Sequence, residues 1–217
     1  MPTFSLVHLE FLLTAAQWTI GLSIAAFVGG GLVGFVVALA RISDVRVLRI
    51  AATVYIQLVQ GTPLLILLFA IYFGIALLGY TNLPPLIAAS AGLIIYSSGF
   101  LAEIWRGCID SVPKTQWQAA ECLALTRWQR MVKVILPQAA RIATAPTVGF
   151  LVQIVKNTSL ASVVGFVELA QAGKLINNSI YEPFTVFMIV ALIYFAICFP
   201  LSTWSRSLER KLNVGRR

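Results

Sequence analysis

No Asp, Glu, Lys or Arg occurs in residues 11–40, FLLTAAQWTIGLSIAAFVGGGLVGFVVALA, in residues 50–102 or in residues 183–205. A helix needs about 20 apolar residues to cross a bilayer, so each stretch is long enough to span one. The middle stretch has the length of two spans and is interrupted by the turn signal Tyr80-Thr81-Asn82-Leu83-Pro84-Pro85. The chain is 59% hydrophobic and 11% charged, whereas soluble domains carry about 25% charged residues. These features exclude a soluble globular enzyme and predict four membrane spans directly.

A fifth span is expected between Arg141 and Lys156, although it is short. The fourteen uncharged residues between them make about 21 Å of helix, less than the hydrocarbon core of about 30 Å. Lys156 is therefore expected at depth, and the polar Asn157-Thr158-Ser159 predicts a helix interrupted inside the membrane. Such places often mark substrate routes, where a lysine and hydroxyls can meet a carboxylate. The alternative is that Lys156 only extends to the outer membrane surface.

The net charge of +8 indicates orientation rather than nucleic-acid binding, because membrane proteins retain positive residues on the cytoplasmic side. Of the 16 Lys and Arg residues, 14 follow the first, third and last spans, and an odd number of spans places these clusters on one face. We expect an all-α integral membrane protein, a single transmembrane domain over 1–217, with its N-terminus outside and its C-terminus inside. The expected spans are about 14–40, 52–79, 86–107, 138–160 and 183–205.

Three smaller expectations concern the ends of the chain and its cysteines. No basic residue precedes Phe11, so the first stretch lacks the features of a signal peptide and is expected to remain in the mature protein. The tail from Arg206 to Arg217 is interpreted as a stop-transfer signal and lipid-headgroup anchor. Cys108, Cys122 and Cys198 are interpreted as small apolar fillers without a disulfide framework.

Residues 111–137 are a moderately polar segment, called here the coupling loop, that short connections between spans do not require. Thr115-Gln116-Trp117-Gln118 and Thr126-Arg127-Trp128-Gln129 both have the form of a capping box, which predicts two short helices with a bend near Ala124-Leu125. An apolar stripe at helical spacing contains Trp117, Ala120, Ala124, Trp128, Met131 and Ile135. Its small alanines favour a docking surface for a cytoplasmic protein. Alternatively, the stripe covers the inner ends of the chain's own spans.

Five motifs carry a resemblance to a known family. Residues 117–125, WQAAECLAL, followed by VILPQA at 134–139, resemble the EAA loop of ABC importer permeases, and more closely that of the polar amino-acid uptake subfamily. The other four motifs are QGTPLL at 60–65, LAEIWRG at 101–107, KNTSLASV at 156–163 and LERKL at 208–212. The resemblance covers about residues 53 to 212, and the first span matches only in general character.

The resemblance implies one half of an ATP-driven importer in the bacterial inner (cytoplasmic) membrane. Two such subunits, identical or homologous, would enclose a pathway for an amino acid, with an ABC ATPase dimer at the cytoplasmic face and an extracytoplasmic solute-binding protein above. The ATPase would bind ATP and Mg, because this chain has no Walker-type motif; the chain is expected to bind no cofactor or metal and not to be an enzyme. The implied ATPase-coupling residues are Gln118, Ala119, Ala120, Glu121, Ala124 and Leu125.

Three positions depart from the family pattern. Gln118 replaces the usual glutamate, Ala124 the usual turn glycine and Gln60 the usual arginine before Gly-Thr-Pro. A neutral Gln118 forms a weaker hydrogen bond to an ATPase arginine than a carboxylate does, and Glu121 is the residue that could substitute. Ala124 is costly only if its position requires a positive φ.

Candidate pathway residues fall in two groups. They are Gln57, Gln60, Gly61, Thr62 and Pro63 of the second span, and Lys156, Asn157, Thr158 and Ser159 of the fourth. Buried amides need partners, so the two glutamines serve either as helix contacts or as pathway lining. Glu103 and Arg106, three apart on one helix face, are expected to pair with each other or with the loop. The alternative function is an ion-coupled secondary transporter, which would predict inverted repeats and paired intramembrane carboxylates.

Overall fold

The computed structural model describes residues 3–77, 79 and 83–214, and all regular structure within them is helical. The helices are α1 (Leu6–Arg41), α2 (Arg46–Gly61), α3 (Leu64–Leu77), α4 (Pro85–Asp110), α5 (Lys114–Cys122), α6 (Arg127–Arg130), α7 (Leu136–Asn157), α8 (Leu169–Ile180) and α9 (Pro183–Val214). A π-helical turn, Met131–Ile135, joins α6 to α7, and a 3₁₀ helix, Thr158–Val164, follows α7. The predicted turn residues Tyr80, Thr81 and Asn82, and Arg216 and Arg217 of the tail, lie outside the described residues.

Within this part of the chain, four helical segments are long and apolar enough to cross a membrane: Leu6–Arg41, Pro85–Asp110, Arg127–Val164 and Pro183–Lys211. A fifth candidate consists of α2 and α3 together, which meet at 105°. The predicted all-helical membrane fold is confirmed at this level. Within the expected span 52–79 the helix is broken between Gly61 and Leu64. Pro63 has no N–H to donate and holds Thr62 in an extended conformation (φ −105°, ψ 125°), so the helix ends at Gly61.

The fourth candidate span begins earlier than the expected residue 138. The helical run continues from Arg127 through the π-helical turn into α7, so the second of the two short helices predicted in the coupling loop is the first turn of a long one. At the other end, α7 stops at Asn157 and the 3₁₀ helix stops at Gly165, whose φ is +83°. The irregularity predicted at Asn157-Thr158-Ser159 is therefore present, as a change of helix type.

The longest packing interface joins α1 to α4 and depends on two glycines. A Cβ placed on Gly30 would lie 2.5 Å from the Cβ of Ser97, and one placed on Gly34 would lie 2.8 Å from the carbonyl oxygen of Ser98. Glycines four residues apart let helix backbones approach closely, which is a common way of packing helices in membranes. Next to this interface, a central core containing Leu68, Leu93, Leu101 and Ile154 fixes α3, α4 and α7 together.

At one end of the bundle, the ends of three helices pack together in a smaller core. Ile109 and Val112 at the end of α4 pack with Ile135 of the π-helical turn and with Ala139 of α7, and Ile42 after α1 covers them. The coupling loop projects from this end. All three cysteines are free, as expected, but Cys122 is exposed, so only Cys108 and Cys198 act as buried fillers.

Candidate functional site

The start of the coupling loop is not capped as the sequence predicts. Helix α5 begins at Lys114 after an extended Pro113 (φ −52°, ψ 136°) and has no side-chain cap, so Thr115 is inside the helix and the first capping box is wrong. The proline fixes the start instead, because its backbone conformation already stops a helix from extending further back. The second capping box is confirmed. The Gln129 N–H donates to Oγ1 of Thr126 at 3.3 Å, and the Thr126 N–H donates to Oε1 of Gln129 at 3.0 Å.

The predicted bend near Ala124 is confirmed and has a defined geometry. The Leu125 N–H donates to the carbonyl oxygen of Ala120 at 3.3 Å, and the Ala124 N–H donates to that of Glu121 at 2.9 Å. This pair of bonds is a Schellman motif, which ends a helix through one left-handed residue, usually glycine. Here that residue is Ala124, with φ +52°. The replacement of glycine at this position therefore has a conformational cost.

Some residues of the apolar stripe are buried by the chain itself, and others are exposed. Ala120 is only 2% exposed, and Trp117 and Met131 pack into the core formed by Ile109 and Ile135. The interpretation that Ala120 admits another protein is therefore wrong, because its own chain covers it. On the outside of the loop, Leu123 is 73% exposed and Trp128 is 74% exposed. Gln118, Ala119, Glu121 and Ala124 are also exposed, and Leu125 is half-buried.

One ion pair lies within the coupling loop, and a second joins it to the end of α1. Glu121 accepts from Nη1 of Arg130 at 3.1 Å, so the acid that could have replaced the missing glutamate of the motif already has a partner in its own chain. Arg127 pairs with Asp44 in the connection after α1 and donates to the carbonyl oxygen of Ile42 at 3.4 Å. These contacts join α6 to the end of α1. The exposed face of the loop is consequently presented on a fixed support.

The predicted Lys156 cluster splits between a cavity and the protein interior. Lys156 and Ser159 line a cavity of about 580 Å³ against α9, called here the α7–α9 cavity. Thr158 is fully buried and donates to the carbonyl oxygen of Val155 at 2.7 Å. The side chain of Asn157 accepts from Nε2 of Gln153 at 3.1 Å. Two of the four predicted residues therefore face the cavity, and the other two hold the helix end.

The structure does not bring the second group of predicted pathway residues into this cavity. Gln57 and Gln60 are exposed on α2, and Gly61, Thr62 and Pro63 form the bend between α2 and α3. The bend adjoins the fourth span, because Leu64 at the start of α3 packs in the same core as Ala161 and Val164 of the 3₁₀ helix. The bend therefore contributes to the packing around the 3₁₀ helix, and its residues do not line the cavity that contains Lys156.

A second cavity, of about 420 Å³, lies between α1, α4 and α7 and has a different character. Phe35, Leu39 and Ala143 are among its mostly apolar lining residues. Nε1 of Trp105 donates to Oγ1 of Thr147 at 3.0 Å, so the indole N–H already has an acceptor. This cavity offers few free polar groups to a polar ligand.

The predicted pairing on α4 is present. Arg106 donates from Nε to Glu103 at 2.9 Å, and it also pairs with Asp110 one turn further along the helix. Glu103 and Arg106 are thus linked to each other on one helix, as the spacing of three residues predicts.

Comparison with known proteins identifies the family. Residues 30–214 match the sequence profile of the binding-protein-dependent transport system inner membrane component. The chain belongs to this family. The permease is 36% identical to the probable amino-acid ABC transporter permease protein YckA of Bacillus subtilis, over 93% of this chain and 88% of that protein. It is 35% identical to the L-cystine transport system permease protein TcyB of the same species, over 90% of this chain and 84% of that protein.

The fold of the permease also matches a solved structure. It superposes with a TM-score of 0.90 and 30% identity on a chain from the crystal structure of an amino acid ABC transporter with histidines, covering 97% of this chain and 100% of that one. The resemblance carried by the five motifs is therefore confirmed. The chain is a membrane permease of an ABC importer, ATP hydrolysis belongs to separate subunits, and nothing supports the ion-coupled alternative.

The permease contains one buried polar network that the motifs do not indicate. Glu168, fully buried, caps the start of α8 by accepting from the N–H groups of Ala170 at 3.0 Å and Gln171 at 2.9 Å. Its carboxylate also accepts from the hydroxyl of Tyr194 on α9 at 2.6 Å and from Thr19 on α1 at 3.5 Å. The network joins three helices. The only signal in the sequence is that Glu168 is an isolated acid, the first after Glu121.

Proposed function

We propose that this permease forms one side of a pathway for an amino acid, as a homodimer or paired with a homologous permease in the bacterial inner membrane. The relatives named as amino-acid and cystine permeases support an amino acid as substrate. The α7–α9 cavity is the observation that carries the proposal, since it is open and lined by a lysine and by hydroxyl groups. An ionisable side chain within the membrane is costly unless it faces a water-filled cavity or a partner, and such positions mark substrate routes. An extracytoplasmic solute-binding protein would deliver the substrate.

We propose the orientation that the charges predict, with the N-terminus outside and the C-terminus inside. The contacts between Arg127, Asp44 and Ile42 support it, because they place two of the three basic clusters at the same end of the bundle. The five spans are then α1, the bent pair α2 and α3, α4, the run from α6 to the 3₁₀ helix, and α9. The coupling loop lies on the cytoplasmic side.

The ATPase dimer docks on the exposed outer face of the coupling loop. Leu123 and Trp128 supply large apolar side chains there, and Gln118, Ala119 and Glu121 lie beside them. Tryptophan is among the residues enriched in interface hot spots, which makes Trp128 the expected anchor. ATP-driven closure of the ATPase pair would move the loop, and the helical run from Arg127 would carry the movement to Lys156.

The docking proposal is tested by adding one negative charge to the outer face. The variants Leu123→Glu and Trp128→Glu are expected to lose most of the ATPase during purification in mild detergent while the permease inserts normally. Thr115→Glu is the matched control, because it adds the same charge at an exposed position in the first turn of α5, where an acid favours the helix. Full ATPase recovery with Leu123→Glu and Trp128→Glu would refute the docking surface.

The transport proposal is tested by its energy source. In cells that express the permease with its ATPase and binding-protein partners, uptake of the amino acid is expected to continue with an uncoupler while ATP is maintained. Uptake is expected to stop when ATP is depleted. Uptake that follows the ion gradient instead would refute an ATP-driven importer.

A further inference from the structure

The α7–α9 cavity carries positive charge at two levels. Lys156 stands at the end of α7, and Arg206 lines the same cavity on α9. Arg206 lies two turns beyond Cys198, another lining residue, which corresponds to about 12 Å along the helix. Its Nε donates to the carbonyl oxygen of Ser202, one turn before it on the cavity wall. The arginine that the sequence assigns to the lipid-anchoring tail is therefore a lining residue of the cavity.

Hydroxyl groups and aromatic rings complete the wall. Ser159 and Ser202 bring hydroxyl oxygens to it, Tyr194 a phenol, and Phe195 and Phe199 their rings. Among the described residues that line the cavity, none is an acid. The Ser159 and Tyr194 hydroxyls already donate to the Lys156 carbonyl oxygen and to Glu168. The groups of the wall that suit a carboxylate are therefore Lys156, Arg206 and the hydroxyl of Ser202.

One acid, Glu168, lies behind this wall. Glu168 accepts a hydrogen bond from Tyr194, but it is fully buried. Its other donors are Thr19 and two backbone N–H groups at the start of α8. The carboxylate is therefore occupied by groups of the protein and does not reach the cavity surface. The helix N-terminus that it caps further compensates its charge.

We propose that the α7–α9 cavity is an anion-selective site, in which Lys156 and then Arg206 bind the carboxylate of the transported amino acid. This inference rests on the proposed transport function and narrows its substrate class. Neutral and acidic amino acids fit the cavity, because their carboxylates meet cations and their side chains meet hydroxyls and rings. Amino acids with a cationic side chain are disfavoured, because the cavity supplies two cations and no acid to receive it.

Cys198 provides a chemical reporter inside the cavity. It lines the wall and is 8% exposed. In the assembled transporter carrying Cys108→Ser and Cys122→Ser, it is labelled with an anionic sulfonatoethyl or a cationic trimethylammonium-ethyl methanethiosulfonate. The ratio of the two rates is divided by the same ratio for a small uncharged thiol in solution, such as 2-mercaptoethanol, which cancels the intrinsic reactivity of the reagents.

The normalised ratio is expected to favour the anionic reagent by about a hundredfold, because a cation about 10 Å away at an effective dielectric near 20 speeds the anionic reagent and slows the cationic one by about tenfold each. Lys156→Gln and Arg206→Gln are each expected to lower it severalfold. Arg210→Gln is the matched control, because it removes the same charge one turn further along α9 from a residue that does not line the cavity. A normalised ratio of one at Cys198, or an equal decrease with Arg210→Gln, would overturn the proposal. No change with Arg206→Gln would refute the role of Arg206 in the cavity and favour its role as a headgroup anchor.

Protection by substrates completes the test. Glutamine or glutamate at millimolar concentration is expected to slow the labelling of Cys198, and arginine at the same concentration is not. Equal protection by arginine would refute the charge selectivity while leaving the transport proposal intact. Conversely, ATP-independent uptake would refute the transport proposal whatever the labelling ratio at Cys198.

Discussion

The close contact between α1 and α4 leads to a prediction about Gly30. In Gly30→Ala the new Cβ would lie 2.5 Å from the Cβ of Ser97 and 3.2 Å from the carbonyl oxygen of Ile94. Carbon atoms in contact are normally about 3.5–4.0 Å apart. Because both neighbouring atoms belong to or adjoin the backbone of α4, no side-chain rotation relieves the contact, and the two helices must separate by about 1 Å or more.

The size of the effect follows from two opposing contributions. Overpacking of a well-packed interface costs about 1–3 kcal/mol, and alanine is favoured over glycine inside a helix by about 1 kcal/mol. Gly31→Ala isolates the second contribution, because its Cβ would meet only Cη2 of Trp105 at 3.8 Å, an ordinary contact. Gly30→Ala is therefore expected to be about 1–3 kcal/mol less stable than Gly31→Ala.

The measurement is equilibrium unfolding of the purified permease in mixed micelles of a mild detergent and dodecyl sulfate, followed by the loss of tertiary circular dichroism. Ser97→Gly should recover part of the loss in the Gly30→Ala background, since it removes the nearest atom, and the double-mutant cycle measures that coupling. If Gly30→Ala and Gly31→Ala unfold at the same dodecyl sulfate fraction, the close approach of α1 to α4 is refuted.

Three further predictions use the same unfolding assay, with trypsin cleavage of the coupling loop as a local probe. Ala124→Gly is expected to stabilise the loop by up to about 1 kcal/mol and to slow its cleavage. An alanine in the left-handed conformation costs about 1–2 kcal/mol, and the greater chain entropy of glycine in the unfolded state offsets part of the gain from removing it. Faster cleavage would contradict this. Gly165→Ala is expected to destabilise the permease by about 1–2 kcal/mol, since φ is +83° there, and an unchanged transition would contradict it. Tyr194→Phe removes the 2.6 Å donor of the buried Glu168 and is expected to cost about 1.5–3 kcal/mol; an unchanged midpoint would show that the network is replaced by water.

The sequence predicts features that depend on neighbouring residues. The capping box at Thr126 is correct because both of its hydrogen bonds lie within four residues, and the change of helix type after Lys156 follows from the polar residues at that point. The first capping box fails for an equally local reason, since Pro113 two residues earlier already determines the helix start. Competing local signals of this kind can be ranked from sequence only by noticing that proline restricts the backbone more strongly than a threonine cap does.

Features that depend on distant residues are not predictable in this way. Thr19 and Glu168 are separated by 149 residues, and no spacing rule joins them. The burial of Ala120 depends on how the coupling loop folds back on the end of α4, which the helical stripe does not specify. The 105° angle between α2 and α3 has a local cause in Pro63, but its size is set by packing of α3 on α4. The position of Arg206 in the wall of the α7–α9 cavity is not predictable for the same reason, because the cavity is formed by the packing of α9 beside α7.

The π-helical turn Met131–Ile135 connects the outer face of the coupling loop to the helix that lines the α7–α9 cavity. Trp128 lies before this turn and Lys156 lies after it on one continuous helical run. Ile135 is fully buried against Ile109 and Val112, so the turn is held by the core rather than left free to bend. Further along the same run, Ile154 is fully buried in the central core with α3 and α4. Because the run is held at both points, movement of the docked loop at Trp128 is expected to reach Lys156 only if α3 and α4 move with α7, which changes the width of the α7–α9 cavity.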